Sequence, residues 1–176
     1  LVTAPQSGEE TRTQSRERSI ELRDRAVETA EETRRQAEEA AMKARARAEH
    51  LENAELQVRD VTMITGDYPN MDWDDAYAIQ DEIKRRKEAR GNKTVGLKAG
   101  LTSFAKMKQM GVETPVFGFV SDYMARPDGG EIKHSELIHP KVEAEICIVT
   151  KAPLKGPGCN VAAVMAATDF VIPAVE

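Results

Sequence analysis

From Arg12 to Glu49 the chain contains no glycine, no proline and no aromatic residue, and Glu, Arg and Ala dominate it. Residues of this kind favour helix intrinsically. Glu31 and Arg35 stand four apart in the favourable acid-before-base order. The larger apolar residues, Ile20, Leu22, Val27 and Met42, are too sparse to sustain a heptad seam. The stretch therefore predicts a charged, solvated helical extension over 12–49, with a partner-binding helix as the sharper alternative. Residues 1–11 read as disordered.

Beyond His50 the composition becomes that of a globular domain, and 176 residues fit one domain with an appendage. A net charge of −5 recommends neither nucleic acid nor an anionic membrane as a partner. No run is apolar enough to span a bilayer and no signal-peptide pattern is present, which reads as a cytoplasmic protein. Cys147 and Cys159 form no metal-ligand spacing and no disulfide framework. Asp72 is placed to N-cap a helix from Trp73 to about Arg90 that Gly91-Asn92 ends, with Ala76, Ile79, Gln80 and Ile83 as its core stripe. Its basic run, Lys84 to Lys87, is interleaved with Glu82 and Glu88 and reads as a solvated face. A short helix from Phe104 to Met110 follows Thr102-Ser103, and Pro115 to Val120 reads as a strand. Val161 to Thr168 reads as a helix, and Phe170 to Glu176 as a strand.

Two places carry chemistry. Lys141-Val-Glu-Ala-Glu-Ile-Cys-Ile-Val149 alternates as a strand, with Val142, Ala144, Ile146 and Ile148 on one face and Glu143 and Glu145 on the other. Two carboxylates on one strand face cannot both be buried unless something cationic neutralises them. With the acidic end of the next apolar segment, Glu176, they predict a site for a hard divalent ion. The bland alternative is an exposed strand face with solvated glutamates. The second place is Thr94-Val-Gly-Leu-Lys-Ala-Gly100, a strand with Lys98 inside it. Its flanking glycines allow close approach of a ligand or another backbone; the alternative is a lysine snorkelling from an edge strand. His50, His134 and His139 read as surface or loop histidines.

Six segments occur in order: Ala48-Glu-His-Leu-Glu-Asn-Ala-Glu-Leu56, Asp75-Ala-Tyr-Ala-Ile-Gln80, Val95-Gly-Leu-Lys-Ala-Gly-Leu-Thr-Ser103, Met110-Gly-Val-Glu-Thr-Pro-Val-Phe-Gly118, His139-Pro-Lys-Val-Glu-Ala-Glu145 and Ala167-Thr-Asp-Phe-Val-Ile-Pro-Ala-Val-Glu176. Together they resemble the 2-oxopent-4-enoate hydratase and 4-oxalocrotonate decarboxylase family, relatives of fumarylacetoacetate hydrolase. The resemblance implies an α+β fold, a mixed β-sheet roll or barrel of the fumarylacetoacetase C-terminal type. It also implies that residues 50–176 are the N-terminal part of the catalytic domain, with further strands following Glu176. It places metal ligands on Glu143, Glu145 and Glu176 for Mg²⁺ or Mn²⁺, and the active-site lysine on Lys98.

The hydratases of this family typically carry an acid where this chain has Val116, as the decarboxylases do. The implied reaction is therefore loss of CO₂ from 4-oxalocrotonate, a 2-oxo-enedioate, to give 2-hydroxypenta-2,4-dienoate in meta-cleavage aromatic catabolism. A homo-oligomer and a complex with the pathway hydratase are implied as well. The alternatives are hydration of the dienol, or a truncated, non-catalytic interaction protein.

Overall fold

A computed structural model describes residues 8–176. The chain divides into two compact units, Leu1–Glu131 and Ile132–Glu176. Among the described residues no helix is long and apolar enough to cross a membrane.

The first unit opens with α1 (Gly8–Leu56), about 70 Å of helix at 1.5 Å per residue. Two features of this helix correct the sequence expectation. Residues 8–11, expected to be disordered, already belong to the helix, while 1–7 lie outside the described residues. At the other end no break falls at residue 49, because the last turns are a packed element. Ala44, Ala48 and Ala54 are buried, and Ala44 and Ala48 form a core with Ile79 of α3 (Trp73–Ala89), joined by Leu51, Ile64, Met71 and Ile83. Alanines at this seam let the two helix backbones approach closely, which is why a stretch poor in large apolar residues still packs. Arg47 lies there too, its guanidinium 4.0 Å above the Tyr68 ring. From Arg12 to Lys43 every side chain is exposed. That surface carries the pairs Glu21–Arg25, Glu32–Arg35, Arg34–Glu38 and Glu39–Lys43, which solvent screens so that each adds little to stability. Arg35 thus takes Glu32 rather than the expected Glu31.

After the single turn of α2 (Ile64–Asp67), α3 begins as the sequence predicts. The Asp72 side chain accepts from the Asp75 N–H and Asp75 answers to the Asp72 N–H, a capping box that satisfies two orphan donors. Its basic run is not wholly solvated. Arg85, itself exposed, pairs with Glu82 of the same helix, but Arg86, Lys87 and Arg90 reach back to α1. The buried Glu52 accepts from Arg86 Nε at 2.5 Å and also from Arg90. Lys87, 4 % exposed, donates to both Glu55 oxygens at 2.6 and 2.7 Å and to Tyr123 Oη at 2.6 Å. Tyr123 in turn donates to Glu55 at 2.8 Å.

β1 (Thr94–Gly100), α4 (Phe104–Met110) and β2 (Val116–Ser121) complete the regular part of this unit. Ser103 caps α4 through the Lys106 N–H, and Gly111 ends it at φ 69°, a left-handed conformation that glycine adopts without strain. β1 and β2 form an antiparallel ladder in which Lys98 faces Gly118 and Gly100 faces Val116.

The second unit is a second antiparallel ladder, β3 (Ala144–Thr150) with β4 (Thr168–Val175), joined through α5 (Val161–Ala167). The single mixed sheet expected from the sequence does not form among the described residues: two separate two-stranded antiparallel sheets stand in its place. Antiparallel partners need only short connections, and both ladders close locally around one short helix. The apolar strand faces are largely in water, with Ile146, Ile148, Val171 and Val175 exposed, as is Val142 just before β3. Pro173 lies opposite Ile146. Counting from the doubly hydrogen-bonded pair Glu143–Glu176, that position is a non-hydrogen-bonded pair, so the proline nitrogen points away from β3 and interrupts no ladder bond.

Candidate metal centre and active-site lysine

Glu143 and Glu176 sit just beyond the ends of β3 and β4 and extend their ladder by one more pair. The Glu143 N–H donates to the Glu176 carbonyl at 2.7 Å, and the Glu176 N–H to the Glu143 carbonyl at 3.0 Å. Residues paired this way lie directly opposite and project to the same face. Glu145, two residues along and opposite Ala174, projects to that face as well. The backbone register therefore gathers Glu143, Glu145 and Glu176 at one end of one sheet face, which continues with Cys147, Ile172 and Ala174. All three glutamates are exposed. Among the described residues no three His, Cys, Asp or Glu side chains come close enough together to hold a metal ion. Register, rather than the placement of carboxylate oxygens, is what unites them. The donor chemistry fits a hard oxygen-seeking ion such as Mg²⁺ or Ca²⁺, and three carboxylates leave coordination positions open.

Lys98 lies mid-strand in β1 and is exposed. Across the ladder from it stands Gly118, and two residues before that, Val116, half-buried, with Cγ2 3.2 Å from where a Cβ on Gly100 would lie. The Phe117 N–H donates to Tyr77 Oη of α3 at 3.3 Å, fixing this end of β2 against the helix. Two non-glycine residues with positive φ follow or precede the candidate residues: Leu101 at 56° after β1 and His139 at 46° before β3. A left-handed backbone at a residue with a Cβ costs of order 1 kcal/mol, and such strain concentrates at functional segments. A cavity of about 440 Å³ opens between α1, α3 and β2, lined by Leu51, Ile79, Ile83, Phe119 and Met124. The charged residues at its edge, Lys87 and Glu55, are bound to each other, so it reads as an apolar seam.

No protein-family model matches the chain. The 4-oxalocrotonate decarboxylase of Pseudomonas sp. (strain CF600) is 67% identical over 131 residues, which are 74% of this chain and 50% of that protein. This chain is a relative of the 4-oxalocrotonate decarboxylases. The likeness extends to three dimensions: a solved 4-oxalocrotonate decarboxylase from Pseudomonas putida G7, complexed with magnesium and adipate, superposes with a TM-score of 0.71 at 64% identity, covering 76% of this chain and 51% of that one. Hydratases are more distant, as with the 2-oxo-hept-4-ene-1,7-dioate hydratase of Escherichia coli, 40% identical over 129 residues, 73% of this chain and 48% of that protein. The chain spans about half the length of the relatives it matches. Sequence reasoning named Lys98 and the three glutamates but missed the Glu52 and Glu55 clasp. The available signal was two acids three apart on α1 and Arg86, Lys87 and Arg90 at helical spacing on α3.

Proposed function

We propose that the protein this chain represents decarboxylates 4-oxalocrotonate to 2-hydroxypenta-2,4-dienoate with the help of a divalent metal. The observation that carries the reading is the 67% identity to a decarboxylase against 40% to a hydratase over nearly the same length. Val116, where hydratases carry an acid, supports it. The finer features of the fold and assembly belong to the same proposal: ladders that form part of a fumarylacetoacetase-type roll, a homo-oligomer, and a complex with the hydratase that consumes the dienol.

In this reaction the bond to the distal carboxylate breaks and CO₂ departs. The electron pair moves through the enone to the 2-oxo oxygen, which takes one proton to give the dienol. Glu143, Glu145 and Glu176 would hold the ion, and a divalent ion there supplies Lewis-acid stabilisation of negative charge on the 2-oxo oxygen. Lys98 would supply a compact positive charge to a substrate carboxylate or a proton to the enolate oxygen. Val116 and Phe117 offer the substrate apolar surface, which favours a poorly hydrated carboxylate and hence its loss.

The test is CO₂ release from 4-oxalocrotonate in the presence of Mg²⁺ or Mn²⁺, measured on this sequence extended to the length of its relatives. Release of CO₂ supports the proposal. Hydration of 2-hydroxypenta-2,4-dienoate with no attack on 4-oxalocrotonate would replace it with the hydratase reading.

A further inference from the structure

We infer that Gly118 is a positioning residue for Lys98: its missing side chain is the clearance in which the lysine stem lies. The inference rests on the role proposed for Lys98 above. Lys98 and Gly118 are direct partners across the β1–β2 ladder and share one face. A Cβ built on Gly118 would stand 3.0 Å from Lys98 Cγ and 3.4 Å from Cδ, and 3.7 Å from Gln80 Oε1. The lysine stem therefore does not rise straight from the sheet. It folds over the glycine, with the α3 residue Gln80 alongside. Gln80 follows the buried Ile79, and Tyr77 of the same helix holds the Phe117 N–H, so the boundary of this slot is anchored.

Gly118 is not needed for its backbone conformation, since the glycines with positive φ are 91, 111, 129 and 158. Space is what distinguishes it. Gly96 gives the contrast in the same ladder: a Cβ there would meet only Val120 Cβ at 3.8 Å, an ordinary contact. An alanine at 118 would press on Cγ and Cδ of a flexible side chain, which turns aside more readily than a strand. The expected result is a displaced amine on an intact ladder.

The experiment is competitive acetylation of the full chain with acetic anhydride, read lysine by lysine by mass spectrometry, on wild type, Gly118→Ala and Gly96→Ala, with Tm alongside. Gly118→Ala should change the labelling rate of Lys98 severalfold and leave the other lysines as they were, and Gly96→Ala should match wild type at Lys98. Should Gly118→Ala lower Tm instead, adding Lys98→Ala should restore it, because alanine has no Cγ to collide. Unchanged Lys98 labelling at unchanged Tm overturns the inference, and so does a loss of Tm that Lys98→Ala does not relieve. Neither readout requires turnover. A failure of decarboxylation would thus remove the role of Lys98 without touching this geometry. In active enzyme of full length, Gly118→Ala should lower kcat while Mg²⁺ affinity holds.

Discussion

Lys87 and Lys98 sit eleven positions apart and illustrate two different uses of a lysine among apolar neighbours. Lys87 is clasped by Glu55 and Tyr123. Burial works to lower its proton affinity, but the hydrogen bonds to Glu55 and Tyr123 outweigh it and hold the amine above the usual lysine value. Its contribution is therefore fully present below the unfolded-state pKa of about 10.4 and is lost as pH rises through the higher folded value. Glu52 behaves in the opposite sense. Burial pushes it up, the hydrogen bonds from Arg86 and Arg90 more than reverse this, and the carboxyl ends below its usual range. Its share of stability is present above about pH 4.3 and disappears as pH falls through the folded value. Thermal melts across pH should show both flanks, with Lys87→Met reducing the alkaline one and Glu52→Gln the acid one, to which Glu82 also contributes. Lys87→Met should cost about 1–2 kcal/mol in denaturant unfolding, since the exposed Glu55 rehydrates once released. At the proposed site, Glu145→Gln should abolish CO₂ release by weakening Mg²⁺ binding, whereas Lys98→Ala should lower turnover and leave metal affinity largely intact. Local pattern singles out Lys98 and the glutamates only as candidates, through glycines around a strand lysine and acids alternating with Ile and Val, and the roles proposed for them come from the resemblance. Lys87 is not singled out, because its partner lies 32 residues away on a helix whose inward face no local pattern reveals.

Among the elements, those with their own punctuation were read closely. Asp72, Ser103 and Gly111 fixed the ends of α3 and α4 within a residue. The extent of α1 was misread because its seam is built of alanines and charged pairs, which look like solvated helix in a sequence. The structure replaces the expectation of a solvated extension over 12–49 with one that divides the helix in two. Deletion through Ala40 should leave Tm unchanged, as every described side chain removed is exposed. Deletion through Glu49 removes Ala44, Arg47 and Ala48 and should lower Tm markedly, as measured by circular dichroism. Ala48, fully buried, admits no larger residue, and Ala48→Leu should cost about 1–3 kcal/mol by overpacking.

At the scale of the whole molecule the two units are unequal. Among the described residues, the buried apolar ones are Ala44, Ala48, Ala54, Ile79 and Met107 in the first and Ala167 in the second. A two-stranded ladder is marginal in water without a face to pack against. A peptide of residues 132–176 alone should accordingly give the narrow amide dispersion of an unfolded chain in NMR, and a well-dispersed spectrum would contradict this account. Which strands share a sheet was the part least open to sequence reading: alternation assigns faces within a strand, but it does not say which distant strand comes to lie beside it. Pro173 adds a direction to the second ladder. Its nitrogen faces outward from β4 and offers no proton, whereas β3 turns the outward N–H groups of Ala144, Ile146 and Ile148 to its own free side. An arriving strand from a neighbouring molecule finds a row of donors on one flank and a gap on the other. Association seeded by this hairpin would stop at two copies joined β3 to β3, and Pro173→Val would open the second flank and let a longer array grow.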